Sequence, residues 1–146
     1  MKIYLGADHA GFPVKEKLKN FLEERNIPYE DCGTYSEQPV NYPIFAFAVS
    51  EKVVADNDSR GILVCGTGQG MCMAAHQVPG IRAAAVYDME TAKLTRKHND
   101  ANILCLGARN TSYATIEQIL EAWLFTDFEG GRHKDRIDMI ANYRKT

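Results

Sequence analysis

Apolar residues come along this chain in two alternating rhythms. Short unbroken runs, Ile3-Tyr4-Leu5, Ile62-Leu63-Val64-Cys65 and Ile103-Leu104-Cys105-Leu106, have the length and composition of strands buried on both faces. Between them lie spaced patterns. Val14, Leu18, Phe21 and Leu22 put apolar side chains on one face of a helix. The chain then reads as a strand over 2–6 and a helix carrying Pro13 in its first turn, where a missing N–H costs nothing. Lys15, Lys19 and Glu23 are assigned to that helix's solvent face. A half-polar strand over 29–32 is expected at a sheet edge, followed by a loop over 33–40. Asn41 can cap a helix that carries Pro43 and runs to about Ala55. A strand over 62–65, a helix over 71–77, a strand over 81–86, a helix over 88–98 and a strand over 101–106 follow. Ile116, Ile119, Leu120, Trp123 and Leu124 mark a long helix. Gly130-Gly131 breaks the chain before a last helix over about 133–143.

Strands alternating with helices, with no hairpin signal, predict an α/β fold: three α/β/α layers around a doubly wound, five-stranded parallel sheet of Rossmann-like type. The carboxyl ends of such strands share one rim. Asp8, His9, Cys65, Gly66, Thr67, Asp88 and Arg109 are expected there.

The composition narrows the function classes. The chain has 146 residues, 45% of them hydrophobic and 25% charged, which suits one globular domain over 1–146. A net charge of −2 leaves no electrostatic footprint for nucleic acid or an acidic membrane. No run of about 18 apolar residues predicts a membrane span, and Met1-Lys2-Ile3-Tyr4-Leu5 enters strand-like sequence without a leader's apolar stretch. Cys32, Cys65, Cys72 and Cys105 show no CxxC spacing and are read as reduced thiols of a cytoplasmic protein.

The chemistry centres on Gly66-Thr67-Gly68-Gln69-Gly70, between the central strand and a helix. Such a loop can turn its N–H groups toward one point, and a helix start adds positive potential. This predicts a site for a group that is, or becomes, an anion. The glycines run GxGxG and not GxGxxG, and the strand is the third. This argues against a dinucleotide, although Asp88 stands where its ribose partner would. No Lys-Ser/Thr follows, which excludes a Walker loop. Cys65 has two readings: a core cysteine, or a thiol activated beside the amide-rich loop. Cys72 and Cys105 are read as packing residues and Cys32 as half-exposed and inert. For His9, His76, His98 and His133 the default is a surface or capping role. Asp8-His9 with His98 could gather a cation, although no pair has the spacing of a metal site. Arg132 and Arg136, four apart, share a helix face. They form either a solvated surface or a phosphate clamp.

Six motifs then occur in order: Ala7-Asp8-His9-Ala10-Gly11, Tyr42-Pro43, Cys65-Gly66-Thr67-Gly68-Gln69-Gly70, Pro79-Gly80-Ile81-Arg82-Ala83, His98-Asn99-Asp100-Ala101-Asn102, and Phe128-Glu129-Gly130-Gly131-Arg132-His133. Over nearly its whole length the chain resembles the ribose-5-phosphate isomerase type B family, which also holds galactose-6-phosphate isomerase subunits. The resemblance implies aldose–ketose isomerisation through a cis-enediolate, with no metal or other cofactor. It implies Cys65 as the base between C2 and C1, the amides of Gly66, Gly68, Gln69 and Gly70 as the anion hole, and Thr67 as a proton relay. Asp8 and His98 would open the sugar ring. Tyr42 and Asn99 would orient it, and His9, Arg109, Arg132 and Arg136 would hold the phosphate. It further implies a homodimer with shared active sites, sometimes paired into tetramers, with His98, Asn99 and the helical arginines reaching in from the partner. Asn41 departs from the family's usual Asp. His76-Gln77 replaces its usual Asn-Lys. Met71 stands where one branch carries a glutamate base. Two alternatives stay open: a six-carbon substrate such as allose or galactose 6-phosphate, and a non-catalytic phosphosugar-binding module.

Overall fold

The computed structural model describes residues 1–143. Five strands, β1 (Lys2–Ala7), β2 (Tyr29–Asp31), β3 (Ser59–Cys65), β4 (Ala83–Ala85) and β5 (Ile103–Gly107), alternate with helices α1 (Phe12–Glu24), α2 (Tyr42–Ala55), α3 (Gln69–Ala75), α4 (Met89–Asn99), α5 (Tyr113–Leu124) and α6 (Arg132–Tyr143). The strands form one parallel sheet in the order β2-β1-β3-β5-β4. The predicted α/β class and the edge position of the half-polar strand both hold.

Alternation along the three inner strands splits the core into two layers. Ile3, Leu5, Ile62, Val64, Leu104 and Leu106 face α1 and α5, where they meet Leu18, Leu22, Ile119 and Trp123. Leu63, Cys65, Ile103 and Cys105 face the other way, onto Ala46, Val49, Met71 and Ala75 of α2 and α3. The unbroken apolar runs follow from this: each of their positions is covered by a helix on one side or the other. Each large side chain so buried contributes about 1.5–3 kcal/mol of transfer free energy.

Two topological facts position the chemistry. The chain leaves β1 toward β2 on one side and returns to β3 on the other. The crevice between β1 and β3 is therefore the switch point of the sheet, with Asp8 and Cys65 on its two lips. Second, β4 and β5 are parallel neighbours, so α4 must run back from the rim to the far end of the sheet. Its exit is tied there: Gly61 N–H donates to Asn102 O at 2.9 Å, and Asn102 N–H to Arg82 O at 3.0 Å. From Gly61 to Cys65, β3 rises about 13 Å.

Several side chains depart from expectation. Lys15 is fully buried and not on a solvent face. Its Nζ donates to Asp31 Oδ1 at 2.5 Å and Thr34 O at 2.6 Å, which ties α1 to the loop leading to Tyr42. Asn41 stands at the N-cap of α2 but its side chain makes no cap hydrogen bond. His133, expected in a surface or capping role, is buried. Among the described residues no helix is long and apolar enough to cross a membrane.

Candidate active site

At the rim, the glycine loop folds back over the end of β3. Gly68 takes the left-handed conformation, φ +82°, at the N-cap of α3, which a side chain would resist. That turn aims its N–H at Cys65, with N to Sγ at 3.2 Å. Cys65 is 5% exposed. Its sulfur tops the α2–α3 core layer, and the Gly68 amide is its polar neighbour. Gly70 allows close approach: a Cβ there would meet the Tyr42 ring at 2.5 Å. So Tyr42, at the start of α2, lies against the loop. On the β5 side, Ala108 N–H donates to Cys65 O at 2.8 Å and Arg109 N–H to Gly66 O at 2.9 Å. On the β1 side, Asp8 N–H donates to Val64 O at 3.2 Å, and the buried Asp8 carboxylate accepts from Gly11 N–H at 2.9 Å. His9 Nδ1 accepts from Val40 N–H at 3.2 Å. The rim thus gathers Asp8, His9, Cys65, the glycine loop and Arg109, as expected, and adds Tyr42.

Sequence reasoning passed over Tyr87. Its hydroxyl donates to Thr67 O at 2.6 Å and accepts from Gln69 Nε2 at 2.5 Å, so it buttresses the loop from the end of β4. Its place just before the rim residue Asp88 was the available signal. Asp88 itself is the N-cap of α4. It accepts from Thr91 N–H at 2.7 Å, a bond that holds its carboxyl below the usual range.

His98, Asn99, Arg132 and Arg136 do not join this group. They sit where α4 ends and α6 begins, at the far end of the sheet. The idea that Asp8-His9 and His98 gather one cation fails for that reason. At this far corner Asn99 O accepts from Arg82 Nε at 3.1 Å. Arg132 and Arg136 are exposed and, among the described residues, form no ion pair. His98 and His133 stack with ring centroids 4.4 Å apart and planes 17° apart. His133 Nε2 lies 3.5 Å from a Glu129 carboxylate oxygen. Donor atoms of His98, Glu129 and His133 fall within 4.8 Å of one another. Two nearly parallel rings send their lone pairs along neighbouring lines, however, and not to one point about 2 Å from both, as an ion needs.

The Ribose/Galactose Isomerase family model matches residues 3–140. The chain belongs to that family. Ribose-5-phosphate isomerase B of Escherichia coli is 40% identical over 140 residues, covering 96% of this chain and 94% of its own. Its counterpart in Mycolicibacterium paratuberculosis is 40% identical over 148 residues, covering 100% and 93%. Among solved structures, ribose-5-phosphate isomerase B of Clostridium thermocellum superimposes with a TM-score of 0.97 at 42% identity, covering 99% of this chain and 98% of its own. The Mycoplasma genitalium enzyme with bound ribulose-5-phosphate gives 0.95 at 41% identity, covering 99% and 96%.

One departure from the family pattern now has a physical account. His76 Nε2 accepts from Ala83 N–H at 3.0 Å, so this imidazole ties the end of α3 to the first residue of edge strand β4. Cys72 also reads differently from the packing role expected of it. It is half-buried on α3, and its thiol is pulled down to about 5, chiefly by a hydrogen bond from Cys105 and then by His76. Burial pushes the Cys105 thiol well up. Cys32 is half-buried, and burial with the nearby Glu30 carboxylate raises its thiol, consistent with an inert role.

Proposed function

We propose that the protein interconverts ribose 5-phosphate and ribulose 5-phosphate through a cis-enediolate, as a homodimer whose sites each combine one protomer's rim with its partner's far corner. The observation that carries this reading is the Gly68 amide aimed at the Cys65 sulfur from a loop of further amides. A base on carbon is effective only where the developing enediolate oxygen meets donors already in place. Each such donor is typically worth a factor of about 10²–10³ in rate. In this reading Cys65 carries the proton between C2 and C1, the amides of Gly66 to Gly70 hold the oxygen, and Thr67 relays protons. Tyr42 and the partner's copy of Asn99 orient the sugar. Asp8 and the partner's copy of His98 open its ring. His9 and Arg109 from the rim, with Arg132 and Arg136 from the partner, hold the phosphate.

The division of the candidate residues between opposite ends of the sheet supports a shared site, because one chain alone does not bring them together. Apolar surface supports it as well. Met139 at 74%, Ile140 at 66% and Tyr143 at 81% exposure on α6, with Ile44 at 61% on α2, are large side chains left for a second surface to cover. The five-carbon choice leans on the relative that holds ribulose-5-phosphate.

A coupled assay for ribulose 5-phosphate tests the reaction. Replacing the base, Cys65→Ala, is expected to lower turnover by about 10⁴-fold while calorimetry still detects phosphosugar binding. Full activity in that variant would remove Cys65 from the reaction. Faster turnover of a six-carbon phosphosugar would reassign the substrate.

A further inference from the structure

The far corner holds a contact that the proposed reaction does not yet use. His98 lies on the last turn of α4, half-buried, and no hydrogen bond from its ring is found among the described residues. What the ring touches is the flat face of His133. That second ring comes from another helix and is 7% exposed. Its Nε2 lies 3.5 Å from a Glu129 carboxylate oxygen, and the residue's backbone is anchored as well, its main-chain N–H donating to Gly130 O at 3.2 Å. The same loop is fastened to α4, since Glu129 N–H donates to Lys97 O at 3.1 Å. A buried ring held by Glu129 is therefore laid against a ring that has no hydrogen-bond partner among the described residues.

We propose that His133, clamped by Glu129, is a positioning residue that fixes the ring plane of His98 for opening the sugar ring. The inference rests on the reading of His98 as an acid or base given above. In that step the O–H bond at C1 and the bond from C1 to the ring oxygen break. A carbonyl forms at C1, and the ring oxygen gains a proton. An imidazole serves this exchange only when its nitrogen, which acts in the ring plane, points at the proton it takes or gives. Rotation about the last side-chain torsion turns the nitrogen away while leaving the residue in place. A flat neighbour at stacking distance is the contact that resists that rotation. The competing role for His133 is simple packing of α6 on α4, which would affect every step alike.

The two roles separate because enolisation can be read apart from ring opening. Ribulose 5-phosphate carries its phosphate on the C5 oxygen and has no free hydroxyl there to close a ring on C2. Exchange of its C1 hydrogen with deuterated solvent therefore calls on Cys65 and not on His98. In His133→Ala, net conversion of ribose 5-phosphate is expected to fall about 30-fold with KM within about twofold, and C1 exchange within about twofold of the unaltered protein. His133→Phe, which keeps a flat ring, should recover most of the lost conversion. Glu129→Gln should show the same split at about threefold. Equal losses of conversion and exchange in both His133 variants, or no loss in either, would overturn the proposal. His98→Ala losing exchange as severely as conversion would also overturn it, by removing the step it serves. Cys65→Ser retaining exchange would overturn the base assignment alone.

Discussion

The rim and the far corner are built in opposite ways. At the rim the polar groups are mostly backbone, carried on a braced loop. Gly68 N–H is aimed at sulfur, the Cys65 and Gly66 carbonyls accept from the β5 exit, and Tyr87 braces Thr67 and Gln69. At the far corner the polar groups are long side chains on helices, with Arg132 and Arg136 exposed. The contrast teaches a division of labour. Stabilising charge that develops during a reaction needs donors that do not reorganise. Grasping a phosphate suits arginines that adapt to a fork geometry.

The sharpest way to break this comparison is to separate the halves. Mixing Cys65→Ala with His98→Ala protomers should restore activity to about a quarter of the unaltered protein, because half the dimers then carry one intact site. Each variant alone should be nearly silent. Failure to recover in mixtures shown by mass to contain heterodimers would place both halves in one chain. Next in size, Arg136→Ala should weaken binding of ribose 5-phosphate by about 10–100-fold, with little effect on unphosphorylated ribose. Equal losses by calorimetry would reject a phosphate role. The smallest effect concerns a thiol away from the rim, on α3. Because the Cys72 thiol is pulled down to about 5 by its neighbours, its alkylation by iodoacetamide should vary little over pH 6–8. The rate at Cys32, whose thiol is raised, should climb with pH. Mass spectrometry of the labelled peptides reads both, and the reverse order would remove Cys72 as a reactive thiol.

Much of the fold was legible because inner strands buried on both faces leave unbroken apolar runs. The crossover topology then followed from their alternation with helices. The rim was legible for the same reason, since its residues follow strand ends. His98 could have been placed at the far corner by counting directions: a helix joining parallel neighbours must end where the strands begin. Lys15 was misread by its charge. It lies three and seven positions before Leu18 and Leu22, on the buried side, but its partners Asp31 and Thr34 are distant in sequence. The stacking of His133 on His98 depends on how α6 meets α4, which no local pattern encodes.

The inward lysine of α1 has a practical use. Amine-modifying reagents would mark the chain's outer lysines and pass over Lys15 while Asp31 and Thr34 enclose it. Its labelling would then time the moment at which the first helix parts from the segment leading to Tyr42, a clock for local opening already present in the natural chain.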